Sequence, residues 1–219
     1  MSVLLLPGMD GTGALFRPLV DAFPPELRVT VVEYPRDEVL GYDALLERIP
    51  APDEPFVIVA ESFSGPLAVR LAARASPNLR GVVLAATFVR SPRAIPRWAV
   101  SPLLFSVPPP DAALRWALLG DDASADDVAR LRATIRSVKP NVLAHRLREI
   151  AAIDVSDELR GCRVPVLEIS ASRDRLIPKT LSREFPQLEH VALDAPHLVL
   201  QRCATEAAQH IVEFARRHS

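Results

Sequence analysis

At 219 residues the chain is long enough to bury a full core, as one domain or as one domain carrying an insert. A formal net charge of −1, with 24% charged residues, gives no electrostatic reason to expect nucleic acid or an anionic membrane as a partner. No apolar run approaches the roughly 20 residues that cross a bilayer, so no membrane span is expected.

Residues 3–6 are apolar, follow no basic residue and stop at Pro7-Gly8. That run is too short for the apolar region of a signal peptide and reads as a first strand. Cys162 and Cys203 lie in no metal or redox motif, so they read as reduced thiols of a cytoplasmic protein. The strand opens into Pro7-Gly8-Met9-Asp10-Gly11-Thr12-Gly13, and a helix follows through Leu15, Phe16, Leu19 and Val20. Three glycines suggest a backbone that comes close to a ligand. Gly8 and Gly13 have the P-loop spacing, but Ala14-Leu15 stand where Lys-Ser/Thr is required. A dinucleotide pattern begun at Gly11 needs a small residue at 16 and meets Phe16. Two readings remain: a plain strand–helix turn, or a loop that donates the Met9 N–H to a developing oxyanion.

Residues 29–34 read as a second strand stopped by Pro35, and 42–49 as a short helix. The run Phe56-Val57-Ile58-Val59-Ala60-Glu61 is too short and too β-branched for a helix, which makes it a buried third strand. It stops at Ser62, and a helix takes 63–74. A nucleophile elbow needs small residues two before and two after its nucleophile. Ala60 and Ser64 hold those places around Ser62, although neither is glycine. Ser64 fits less well, because Pro66 would occupy its second small position. Ser62 could also simply cap the helix.

Residues 79–86 form a fourth expected strand. Strands alternating with helices argue for parallel βαβ units with both faces of the sheet covered. From about 88 to 153 that rhythm vanishes, and prolines separate helical runs at 111–119, 124–138 and 141–150. Val128, Leu131 and Ile135 make one apolar stripe. Residues 88–153 are therefore expected to form a helical cap, inserted between the fourth and fifth strands of a single domain spanning 1–219. Phe88, Trp98, Phe105, Trp116 and Leu198 are candidates to line a substrate pocket; Trp98, Phe105 and Trp116 could equally pack the cap onto the body.

A fifth strand is expected at 164–170, ending in Ser172-Arg173-Asp174-Arg175-Leu176-Ile177-Pro178, with a helix starting near Pro178. A sixth at 188–193 closes with Asp194-Ala195-Pro196-His197. The last helix, 205–217, is apolar at 208, 211, 212 and 215 and should cover one face of the sheet.

A serine nucleophile needs a base to take its proton, and the base needs an acid to fix its tautomer. Ser62, Asp174 and His197 follow the third, fifth and sixth strands, at the carboxyl edge where open parallel sheets bind ligands. Their order, Ser…Asp…His, is the one such folds use. The backbone N–H groups of Met9 and Phe63 are the candidate oxyanion donors. Asp194 and Asp154 compete with Asp174 for the acid role, whereas 87–91 offers no carboxylate. His145, His190, His210 and His218 show no ligand spacing, so no metal is expected. Glu61 either tunes the site, makes a simple salt bridge or is part of the pocket wall, and Asp10 shapes its turn.

These four motifs, in this order, resemble those of small serine α/β-hydrolase fold proteins over nearly the whole chain. Leu6-Pro7-Gly8-Met9-Asp10-Gly11-Thr12-Gly13 is similar to their oxyanion loop and Ala60-Glu61-Ser62-Phe63-Ser64-Gly65 to their elbow. The segments ending at Pro178 and beginning at Pro196 are similar to their acid and histidine loops. The resemblance implies an α/β-hydrolase fold: a mostly parallel sheet of about six strands, flanked by helices, with a helical cap insert. The first hairpin of the family is missing, and Pro7-Gly8 replaces its common His-Gly pair. It further implies a serine hydrolase that cleaves small to medium carboxylic esters through an acyl-enzyme, without a cofactor. Thioesters, lactones and carbon–carbon bonds stay open as substrates, as does a slow-turnover ligand-binding protein, because fold does not fix substrate. Monomer and homodimer are both open.

Overall fold

Among the described residues six strands, all parallel, form one sheet in the order β2-β1-β3-β4-β5-β6. The computed structural model describes residues 1–94, 96–107, 109–177 and 180–219. In chain order the first half comprises β1 (Ser2–Leu6), α1 (Arg17–Ala22), β2 (Arg28–Val31), α2 (Tyr42–Leu46), β3 (Phe56–Glu61), α3 (Gly65–Ala73) and β4 (Leu79–Ala85). Next come α4 (Asp111–Leu114), α5 (Ala125–Arg136), α6 (Pro140–Ile150) and α7 (Ser156–Arg160). The chain returns to the sheet as β5 (Val166–Ala171) and β6 (Glu189–Leu193), and ends in α8 (Val199–Arg202) and α9 (Ala204–Arg217).

The central strands are continuous apolar runs because both of their faces are buried. Leu4, Leu6, Ile58, Ala60, Val82 and Leu84 pack under α2, α3 and α7. The alternate residues Val3, Leu5, Val57, Val59, Val83 and Ile169 pack under α1, α8 and α9. The apolar stripe of α9 supplies Ala208, Ile211, Phe214 and Ala215 to that second layer. From β1 the chain moves outward to β2 and then returns past β1 to β3. The strand order therefore reverses between β1 and β3, which opens a crevice at their carboxyl ends.

Helices α4, α5 and α6, between β4 and α7, form the expected cap. A reciprocal capping box, Ser124 with Asp127, starts α5. Val128 and Leu131 of its stripe pack with Leu114, Leu119 and Leu198. The expected 111–119 helix is in two parts, since α4 passes into a π-helical turn, Arg115–Leu119.

Two expectations on secondary structure are corrected. The second strand ends at Val31 rather than 34, because Tyr34 turns inward: its N–H donates to Gly11 O at 2.7 Å and its hydroxyl meets Ser64. The helix expected from Pro178 has its start outside the described residues, and the next element is a single 3₁₀ turn, Leu181–Arg183. Among the described residues no helix is long and apolar enough to cross a membrane, and both cysteines are free thiols.

Candidate active site

Ser62 stands at the first residue after β3 with φ +50°, a left-handed conformation for a residue with a Cβ. Such a backbone costs on the order of 1–3 kcal/mol and persists only where the surroundings fix it. The surroundings here are close. The Thr87 hydroxyl donates to Ser62 O, and a Cβ on Gly65 would lie only 2.1 Å from Thr87 Oγ1. Ala60 and Ser64, the two small flanking residues, are both fully buried. The Ser64 hydroxyl bonds Pro7 O and the Tyr34 hydroxyl, so it joins the elbow to the first loop and does not face the cleft. Tyr42 stacks on the Phe63 ring, 4.6 Å between centroids, and donates its hydroxyl to Phe63 O.

His197 lies in the turn between β6 and α8 and is only 3% exposed. Its Nε2 is 2.9 Å from Ser62 Oγ, and its Nδ1 is 2.7 Å from Asp174 Oδ2. An ionised carboxylate only accepts, so Nδ1 carries the proton and Nε2 is left to accept from the serine. The second oxygen of Asp174 accepts the N–H groups of Leu176 and Ile177 at 2.7 and 2.9 Å, which fixes the carboxylate in its turn after β5. Asp194 is turned away. It is largely exposed and takes hydrogen bonds from Ser172 and Arg173. Asp154 accepts the Ser156 N–H at 2.9 Å at the start of α7, and the Ser156 side chain together with that N–H holds its carboxyl below the usual range.

The loop after β1 passes beside the elbow; a Cβ on Gly8 would lie 4.0 Å from Ser62 Cβ. Asp10 Oδ1 accepts from the Thr12 N–H and hydroxyl at 2.9 and 2.6 Å, a side-chain turn that shapes the loop. Glu61 is 2% exposed, and burial pushes its carboxyl up to about 8, against the Gln201 hydrogen bond that lowers it. Among the described residues no group of three His, Cys, Asp or Glu side chains could hold a metal ion.

Ser62, His197 and Glu61 border a cleft of about 400 Å³, otherwise lined mostly by apolar side chains of the cap and the loops. Phe88, Phe105 and Leu198 line it, as does Met9. Trp98 and Trp116 do not. Trp98 is 89% exposed, and Trp116 lies outside the cleft under the Arg175 guanidinium, 5.4 Å from its ring centroid. Three residues that matter here carry no signal in the sequence: Tyr34, Gln201 and Arg146 lie in no motif, and only the fold brings them to the loops.

No protein-family model and no curated protein matches the chain. Solved structures do. A thermophilic esterase from Thermogutta terrifontis superposes with a TM-score of 0.85 at 20% identity, covering 100% of this chain and 91% of that one. A bromoperoxidase from Bacillus anthracis gives 0.80 at 16% identity, covering 98% and 91%. The enol-lactonase from Burkholderia xenovorans LB400 gives 0.72 at 22% identity, covering 98% and 91%. The chain has the α/β-hydrolase fold. Its Ser62–His197–Asp174 contacts have the geometry that a serine hydrolase uses.

Proposed function

We propose that the protein hydrolyses carboxylic esters of small to medium, apolar acyl groups through a covalent acyl-enzyme on Ser62. The observation that carries this reading is the unbroken Ser62–His197–Asp174 chain, at 2.9 and 2.7 Å, on the floor of an apolar cleft. Ser62 Oγ attacks the ester carbonyl while His197 Nε2 takes its proton. Asp174 holds the imidazole and steadies the imidazolium. The carbonyl oxygen becomes an oxyanion that accepts from the N–H groups of Met9 and Phe63, each worth roughly 3 kcal/mol in the transition state. His197 then protonates the departing alkoxide. Water, deprotonated by the same nitrogen, attacks the acyl-serine and releases the acid.

In this reading residues 88–153 cap the cleft of a single unit spanning 1–219, and Phe88, Phe105 and Leu198 hold the acyl chain. A cyclic ester is a second reading, favoured by the likeness to an enol-lactonase. Turnover of a panel of p-nitrophenyl esters, thioesters and lactones of graded chain length, by wild type and Ser62→Ala, tests both. Short to medium esters turned over by wild type alone support the first; lactones preferred by a large margin support the second. No Ser62-dependent turnover of any of them contradicts the proposal.

A further inference from the structure

Arg146 heads the side chains that are fully buried, at 1% exposure. It projects from α6 of the cap, yet among the described residues its hydrogen bonds all go to loops of the sheet. Nη1 donates to Met9 O and Asp10 O, both at 2.9 Å, and Nη2 donates to Pro35 O at 2.8 Å. The guanidinium lies 5.6 Å from the Tyr34 ring centroid. Burial disfavours its charge, and the Asp10 carboxylate acts against that. Burying an arginine against carbonyls rather than a paired carboxylate is costly, so a surface role or simple packing does not account for it.

The segment it holds needs holding. Residues 8–13 contain three glycines, and glycine samples both hands of φ space freely. Gly11 sits at φ +72°, and any Cβ there would lie 2.5 Å from Arg146 Nη1 and 2.9 Å from Tyr34 Cβ. The glycine is thus required both by the backbone and by the guanidinium docked against it. Two consecutive carbonyls gripped by Nη1 fix the Met9–Asp10 and Asp10–Gly11 peptide planes, and the Gly11 N–H, donating to Gly8 O at 3.0 Å, ties them to the Gly8–Met9 plane that carries the Met9 N–H.

We infer that Arg146 is a positioning residue, a guanidinium delivered by the cap that sets the first loop so that the Met9 N–H points at the developing oxyanion. This rests on the proposed role of Met9. An oxyanion donor matters in the transition state more than in the ground state, so loosening it lowers kcat and leaves KM in place.

The test is the kinetics of a p-nitrophenyl ester with wild type, Arg146→Ala and Arg146→Lys, each normalised to sites that react with a fluorophosphonate. Arg146→Ala is expected to lose about 10- to 100-fold in kcat with KM unchanged. Guanidinium ion at tens of millimolar should restore part of that loss, whereas methylammonium at equal ionic strength should not. Arg146→Lys should recover little, because an ammonium cannot span three carbonyls. A wild-type kcat per labelled site, a loss confined to KM, or a kcat loss that guanidinium does not rescue overturns the inference. If Arg146→Ala does not fold, Arg146→Lys decides: lowered kcat at constant KM supports the inference, and wild-type kcat overturns it. Absence of Ser62-dependent turnover in wild type instead defeats the proposed function, before any Arg146 variant is measured.

Discussion

The Gln201 amide donates at 3.0 Å to Oε2 of Glu61, the residue immediately before the serine, and leaves Glu61 Oε1 buried with no partner among the described residues. A carboxyl that is buried and half satisfied resists ionisation, and the negative Asp10 nearby adds to that resistance.

Stability should therefore fall with rising pH. The folded value of about 8 lies above the ordinary 4.5, so between these the native state holds a proton that the unfolded chain has lost. The contribution of this group is full below 4.5 and disappears as pH climbs through 8. Its slope is at most about 1.4 kcal/mol per pH unit. Urea unfolding of wild type and Glu61→Gln across that range should show the slope in the first and its loss in the second; identical pH profiles would contradict the buried, protonated state.

At residue 62 the usual order of small residues should be reversed. Alanine is strained at φ +50° by its Cβ, and glycine is not. Offset by the greater unfolded freedom of glycine, Ser62→Gly should still exceed Ser62→Ala in stability by roughly 0.5–1 kcal/mol. Thermal unfolding of the two inactive variants measures this.

The acid role should separate cleanly between neighbours. Asp174→Asn is expected to lower kcat by about 10⁴ without unfolding the protein, as in a triad whose imidazole takes the wrong tautomer. Asp194→Asn, which loses only exposed contacts to Ser172 and Arg173, should keep wild-type turnover. An equal loss in Asp194→Asn alone, with Asp174→Asn unaffected, would move the acid role to Asp194.

Gly65→Ala should destabilise the elbow by about 1–3 kcal/mol, since its Cβ would meet Thr87 Oγ1 at 2.1 Å. Adding Thr87→Ala removes the two nearest atoms. The double variant should therefore be more stable than the sum of the singles predicts, a coupling read from a double-mutant cycle. Strict additivity would show that the contact is not the cause.

How much of the fold is legible in the sequence depends on where the physics is local. The strands from Val3, Phe56 and Leu79 are legible because burial on both faces leaves an apolar run with no alternation. Ser62, Asp174 and His197 are legible because each follows the carboxyl end of a strand, in an order that this class of fold uses. Side-chain direction is not legible. Trp98 and Trp116 suit a pocket by residue type alone, yet they stand outside it, because composition does not say which way a short cap segment faces. Arg146 is one of two arginines on an amphipathic helix, and nothing in that pattern marks the one that turns inward. The early end of β2 at Val31 depends on the Tyr34–Ser64 contact, which joins residues thirty apart.

Turnover requires that His197 make Ser62 nucleophilic. Intact-mass analysis of folded protein after exposure to a fluorophosphonate, with peptide mapping of the product, tests it most directly. One adduct, on Ser62, absent in Ser62→Ala and nearly absent in His197→Ala, is the predicted result. No adduct on the folded wild type, or an adduct on another side chain, would contradict it.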